Sequence, residues 1–308
     1  MNQIKYIYLM LVSFAIILML LPLLNSGFFG DDAANSFING NLQYNDQNLA
    51  QGILNNIKIW LEMGRFFPIN LVIINCIFAF ANNLILYKSL IIVSILANIL
   101  LFAYFIRIIT NSPSLGFLSM LVMPILFQFR NFHDPILGYS MHQQSLFLFI
   151  IISLIFFVFY MKSTESRYLY ISLFMYILSI LTYEIALPFF LLYCLISYLC
   201  CAKKRLFFIL KVCTPHFLVL LAYLLTIFVI QINLDIPTIS DDTSPSRYSG
   251  IVPNLNIEDF IITFAKQNIA AFPLSYQISN HMFQASFNLN NIKELFSTPS
   301  IFIAIIYF

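Results

Sequence analysis

The sequence predicts an all-α fold, a polytopic transmembrane helical bundle with residues 1–308 as a single transmembrane domain. Of its 308 residues 61% are hydrophobic and 9% charged, against about 45–50% and about 25% in soluble domains. The apolar residues gather in uncharged runs of roughly 16–21 residues, far longer than the alternating segments of a transmembrane barrel. The 15 basic and 13 acidic residues nearly cancel to a formal +2, which removes any general attraction to nucleic acid. None of the eight glycines builds GxGxxG or GxxxxGK[ST], so the usual backbone cradles of dehydrogenases, kinases and P-loop ATPases are excluded.

Residues Tyr6 to Asn25 follow Lys5 without a charge. The run is long for a signal peptide and Asn25-Ser26-Gly27 is a poor cleavage site, so an uncleaved anchor is expected. The first loop, 26–66, opens on Gly30-Asp31-Asp32. Within it Leu49, Ile53, Ile57 and Trp60 recur at spacings of four, four and three, with Gln51, Asn55, Lys58 and Glu62 on other faces. That pattern is an amphipathic helix lying at the membrane interface. Gly64 should end it, Arg65 should sit at headgroup depth, and Pro68 should begin the next span.

Further apolar runs cover 67–87, 89–106, 114–129, 144–161, 168–183, 185–201 and 212–232. As one helix, 168–201 would reach about 51 Å against a hydrocarbon core of about 30 Å, so it must be two helices. The turn falls at Tyr183-Glu184, four residues before Pro188. That position spares Glu184 the roughly 2.5–3.5 kcal/mol cost of an acid at the bilayer centre and predicts that it faces water.

Lys and Arg are retained in short cytoplasmic loops, so Lys5, Lys88, Lys162 with Arg167, and Lys203-Lys204-Arg205 with Lys211 mark the cytoplasm. All acids but Glu165 then face the other side, in the 26–66 loop, the 130–143 segment, the Glu184 turn and the 233–299 loop. Lys88 inside and 130–143 outside require an odd number of crossings, yet 89–106 and 114–129 count as two. The expectation is that 114–129, with Gly116 and Pro124, is broken or re-entrant and borders a cavity. In the large extracytoplasmic loop 233–299, Asp241-Asp242 and Ser246-Arg247-Tyr248-Ser249-Gly250 precede a second amphipathic helix capped at Asn256. The run Ser300–Phe308 is too short to cross, and the natural chain is expected to continue beyond it.

The five cysteines lie in or beside apolar runs with no CxxC and no paired Cys/His spacing, which suggests neither a disulfide framework nor a zinc site. Adjacent acids such as Asp31 and Asp32 repel one another and suit a base or a cation site, or simply open a solvated loop. Arg65 offers a fork of donors to a phosphate, or snorkels at a helix end.

In order and chemistry, the anchor, Gly30-Asp31-Asp32, the surface helix ending Trp60…Gly64-Arg65-Phe66, and the second acid in Arg130-Asn131-Phe132-His133-Asp134-Pro135 resemble the lipid-dependent glycosyltransferases of the GT-C fold. That family includes protein O-mannosyltransferases and O-antigen and capsule enzymes. The likeness covers 1–145 well and 145–250 loosely. It implies a multi-pass protein of a bacterial inner or plasma membrane with an extracytoplasmic active site. It implies an inverting transfer from a polyprenyl-phosphate sugar to a cell-envelope glycan, lipid or protein acceptor. It puts the catalytic base on Asp31, with Asp32 its close alternative.

Such a transfer needs a carboxylate to deprotonate the acceptor and a cation to take charge from the departing phosphate. Arg65, Arg130, His133 and Arg247 are the candidate cations. Asp134 would orient one of them, pair with Arg130, or hold a divalent cation with Asp32. The sequence requires no such metal. Tyr183 and Glu184 would meet sugar hydroxyls, or be an interfacial tyrosine and a solvated acid, and Tyr248 accompanies Arg247 in the large loop. The rivals are an O-antigen polymerase or ligase, which the acid pair after the first helix disfavours, and a polysaccharide transporter or flippase, which predicts ionisable residues in mid-span.

Overall fold

The computed structural model describes residues 2–62, 64–81, 83–125, 136, 138, 140–200 and 206–233. The chain divides into two units, 1–121 with 132–250 and 122–131 with 251–308. All the described residues belong to the first except Val122–Ile125, the last residues of one helix. The segments carrying Arg130, His133, Asp134, Arg247 and Tyr248, and the 233–299 loop, lie outside the described residues.

Every regular element among the described residues is helical. Helix α1 (Asn2–Leu20) tightens into a 3-10 turn, Leu21–Asn25, where Pro22 enters. Three shorter helices follow, α2 (Asp31–Asn35), α3 (Ile38–Tyr44) and α4 (Leu49–Glu62), the last matching the expected amphipathic segment. Then come α5 (Pro68–Phe80), α6 (Leu84–Thr110), α7 (Pro113–Ile125), α8 (Ser140–Ser163) and α9 (Ser166–Thr182). A 3-10 turn at Glu184–Phe189 leads to α10 (Phe190–Cys200), and α11 spans Leu206–Asn233. The predicted break at Glu184 is therefore present. Ile7–Asn25, Leu84–Thr110, Met141–Ser163 and Phe207–Ile230 are long and apolar enough to cross a membrane. This is a helical membrane protein.

Contacts sort the helix ends into two groups. At one end the Lys162 ammonium donates to Ile108 O (2.5 Å) and Asn111 Oδ1 (2.8 Å), joining the close of α6 to the close of α8. Arg167 and Glu165 pair at the start of α9 beside it. At the other end Tyr87 of α6, His142 of α8 and Tyr183 after α9 line one cavity with α2–α5. Tyr223 of α11 donates to Phe66 O there (2.8 Å).

The helix boundaries differ from the expected runs. The run 67–87 is not one helix: α5 closes at Phe80 and α6 opens at Leu84. The Asn83 side chain caps α6 by accepting from Leu86 N (2.7 Å), while Asn39 of α3 donates to Phe78 O (2.9 Å) at the close of α5. At 13 residues α5 is about 20 Å long, short of the hydrocarbon core. Its start beside Arg65 and its close beside Asn39 both lie at the cavity end. Lys88 is no loop residue either: it is fully buried one turn into α6, its ammonium 5.8 Å from the Tyr87 ring. The stretch 114–129 lies partly outside the described residues, which hold α7 over Pro113–Ile125 with Pro124 inside it.

The core lies between α8, α9, α10 and α11, around Leu154, Phe157, Val158, Tyr176, Ile180 and Tyr193. Lipid competes for apolar surface as well as a neighbouring helix does, so association relies on close approach and internal hydrogen bonds. Ser153, Ser172, Ser179 and Ser197 are all fully buried at these contacts. Ser153 Oγ donates to Ser172 O (2.6 Å) and lies 2.6 Å from the Tyr193 hydroxyl, while Ser172 Oγ meets His216 Nε2 at 2.9 Å. His216 stacks on Tyr193 with centroids 4.1 Å apart, so four helices share one polar knot. Large apolar side chains such as Phe207 and Phe228 instead point outward, as a lipid-facing surface requires.

Candidate functional site

A cavity of about 940 Å³ opens among α2, α3, α4, α5 and the ends of α6, α8 and α9. It lies at the upper end of the roughly 300–1,000 Å³ usual for small-molecule sites. Asp31, Asp32, Arg65 and Tyr183, distant in sequence, all line it.

The acids are placed by a local device. Gly30 adopts φ 57° and ψ −130°, a region open to glycine and strained for other residues, and the chain turns there directly into α2. Asp31 and Asp32 form the first turn of α2, where the exposed amides favour carboxylates. Asp31 is exposed and Asp32 is buried, 4% accessible, with its backbone N–H shared between Phe29 O and Gly138 O. The pair is thus split between a solvent-reaching and an enclosed carboxyl, and it opens a helix where the sequence suggested a loop.

Arg65 is placed by the end of α4. Gly64 takes φ 77°, Gly64 N–H bonds Leu61 O (2.8 Å) and Arg65 N–H bonds Trp60 O (2.9 Å), the Schellman arrangement. The Arg65 side chain then meets Glu184 side-on, Nη2 to Oε2 at 2.8 Å and Nε to Oε1 at 3.3 Å. Its guanidinium carbon lies 4.7 Å from the Phe67 ring, 5.4 Å from Tyr183 and 5.6 Å from Trp60. Burial works against this charge, but the Glu184 hydrogen bond and carboxylate outweigh it and push the Arg65 pKa above its ordinary value.

Two expectations change here. Glu184 does not face water: its side chain is 16% accessible and anchors Arg65 instead of lining the cavity. Arg65 does not present a free fork to a phosphate, since the edge carrying Nε and Nη2 is occupied. The two residues tie the α4–α5 junction to the turn after α9.

The structure also brings in residues that the sequence reading passed over. His142, scattered by sequence, is buried and meets the Tyr183 ring edge-on at 4.5 Å. Asn70 and Asn75 of α5 are buried in the cavity wall. Asn75 accepts from Asn56 Nδ2 (3.2 Å) and donates to Leu71 O (2.7 Å), bridging α4 and α5, whereas Asn70 Oδ1 is buried without a hydrogen-bond partner. The available signal was amides inside an apolar run, which a membrane helix keeps only where protein or a cavity covers them. Among the described residues no cluster of three His, Cys, Asp or Glu side chains could hold a metal ion. Asp31 and Asp32 could contribute only part of a divalent cation's oxygen ligands.

Comparison with protein-family models, with curated proteins and with solved structures gave no match.

Proposed function

We propose that this chain is a membrane glycosyltransferase that moves a sugar from a polyprenyl-phosphate donor to a cell-envelope glycan, lipid or protein acceptor on the extracytoplasmic side. The observation that carries the reading is the convergence of an acid pair on α2 with Arg65 and Tyr183 around one cavity at the end of an apolar helix bundle. A lipid-borne phosphate resides at that depth, and an acceptor hydroxyl entering from water meets a carboxylate there. Asp31, the exposed member, serves as general base, and enclosed Asp32 holds the turn and adds negative charge. The order of motifs that resembles the GT-C enzymes supports the same assignment. Purified protein in lipid should transfer sugar from a polyprenyl-phosphate donor to an alcohol acceptor, and loss of transfer on substituting both acids ties the activity to this cavity.

A specific observation favours one alternative, a polysaccharide transporter: Lys88, His142 and His216 are ionisable residues buried in long apolar helices. Against it, His216 is held by Ser172 and stacked on Tyr193 as part of the packing. Counterflow of a lipid-linked glycan in proteoliposomes without transfer would select the transporter.

A further inference from the structure

We infer that the α3–α5 side of the cavity is a subsite for a neutral, polyhydroxylated sugar ring and discriminates against acidic sugars. From the transferase reading this takes only that the cavity is the substrate site.

Three observations carry it. Nine of the lining residues are Asn or Gln, among them Asn35, Asn41, Asn55, Asn56 and Asn70. Each amide offers a donor and an acceptor without net charge, which matches hydroxyls that themselves donate and accept. Second, the Asn70 side chain is 5% accessible and its Oδ1 has no hydrogen-bond partner, so a buried acceptor in the wall awaits a donor such as a sugar hydroxyl or acetamido N–H. Third, the acid pair disfavours a second carboxylate on the sugar ring. Among the described residues of the lining, Asp31 and Asp32 contribute two carboxyls, and the one Lys or Arg there, Arg65, is paired with Glu184. Among the described lining residues a uronic or sialic carboxylate would meet two carboxyls and a guanidinium already engaged by Glu184. Apolar contact for the ring's C–H faces is available from Trp60, Ile59, Ile74 and Tyr183 in the same wall.

The chain has one tryptophan, Trp60, and it lines this cavity, so intrinsic emission reports occupancy. The full chain is purified in a detergent without a sugar headgroup. It is titrated with methyl glycosides of glucose, galactose, mannose and N-acetylglucosamine, then of glucuronic acid and N-acetylneuraminic acid. Binding is read by Trp60 emission and independently by saturation-transfer NMR. At least one neutral glycoside should bind saturably and at least about tenfold more tightly than either acidic one, a difference of about 1.4 kcal/mol. Asn70→Leu should weaken that glycoside by about tenfold without lowering the melting temperature of the sugar-free protein. Acidic glycosides binding as well as neutral ones would overturn the inference, as would binding unaffected by Asn70→Leu in a folded variant. Should that variant fail to fold, the neutral-to-acidic ratio on the parent protein decides. Transfer activity with no glycoside bound by either readout refutes the subsite and leaves the transferase reading standing. Neutral-selective binding in a protein without transfer activity does the reverse.

Discussion

Arg65 and Glu184, 119 residues apart in sequence, grip each other through two hydrogen bonds, at 2.8 and 3.3 Å, and join the surface helix to the turn between two apolar helices. Their side chains are 15% and 16% accessible, so the pair is shielded from the screening that weakens surface ion pairs. Arg65→Leu or Glu184→Leu alone should each cost about 3–5 kcal/mol by stranding the remaining charge. The double Leu variant should lose less than the sum of the two. Denaturant unfolding of the four proteins measures this coupling, and strict additivity would mean that the contact contributes no mutual stability.

The same pair predicts a pH dependence. Since the folded-state pKa of Arg65 is raised, its stabilising charge is fully present below its ordinary value and is lost only above the raised one. The parent should show no alkaline loss from this pair in a workable range. Arg65→Lys carries an ammonium that titrates from about 10.4 upward. The stability gap between variant and parent should hold steady up to about pH 10 and widen as pH rises above about 10.4, and a constant gap would show that the lysine does not take up the pairing.

For the acid pair, Asp31→Asn should lower transfer by about 10²–10⁴ if it is the general base. Because Asp31 is exposed, that variant should fold normally. Asp32→Asn should reduce transfer less but lower the melting temperature more, since its side chain is enclosed. A larger activity loss at Asp32 would move the base to the enclosed carboxyl, and activity within about threefold of the parent in the double variant would end the assignment.

Topology is tested on a background with the five native cysteines replaced. Tyr44→Cys and Asn83→Cys should react with an impermeant thiol reagent from the same side, and Ser163→Cys from the opposite side. All three native side chains are exposed. Asn83→Cys reacting together with Ser163→Cys would restore 67–87 as a complete span.

Gly30→Ala places a Cβ at φ 57°, and it should cost about 1–3 kcal/mol. Space is not the obstacle, because that Cβ would meet Gly138 Cα at an ordinary 3.6 Å. Transfer should fall with stability as α2 shifts its acids, whereas a fully stable, fully active variant would show that the turn relaxes without consequence.

Local chemistry made much of this arrangement legible in the sequence. The spacing of Leu49, Ile53, Ile57 and Trp60 identifies α4, Gly64 marks its end, and the excess length of 168–201 locates the Glu184 turn. Hydropathy alone does not say where an apolar run breaks, and a charge is a tempting marker. Lys88 is such a marker, yet it is buried one turn into α6, while the polar Asn83 before it caps the start of that helix. Nor does sequence give the pairing of distant charges. Arg65 reads as a cation at headgroup depth and Glu184 as an acid facing water, and only the fold, by bringing the close of α9 to the close of α4, turns them on each other. Likewise Asn70, Asn75 and His142 come to share a cavity with Asp31 only because α5 and the start of α8 form part of its wall.

The hydrogen bond from Tyr223 to Phe66 O bears on how the protein is made. The carbonyl leaves the ribosome 157 residues before its donor does, which at about 5–20 residues per second is a delay of roughly 8–30 s. During that interval the first helices have emerged while the chain beside Arg65 still lacks its bond from α11, and the nascent pocket is a surface for chaperones and proteases. Chains that end before residue 223 should therefore be degraded in cells far faster than those that include it, even when every acidic residue of the site has already been synthesised.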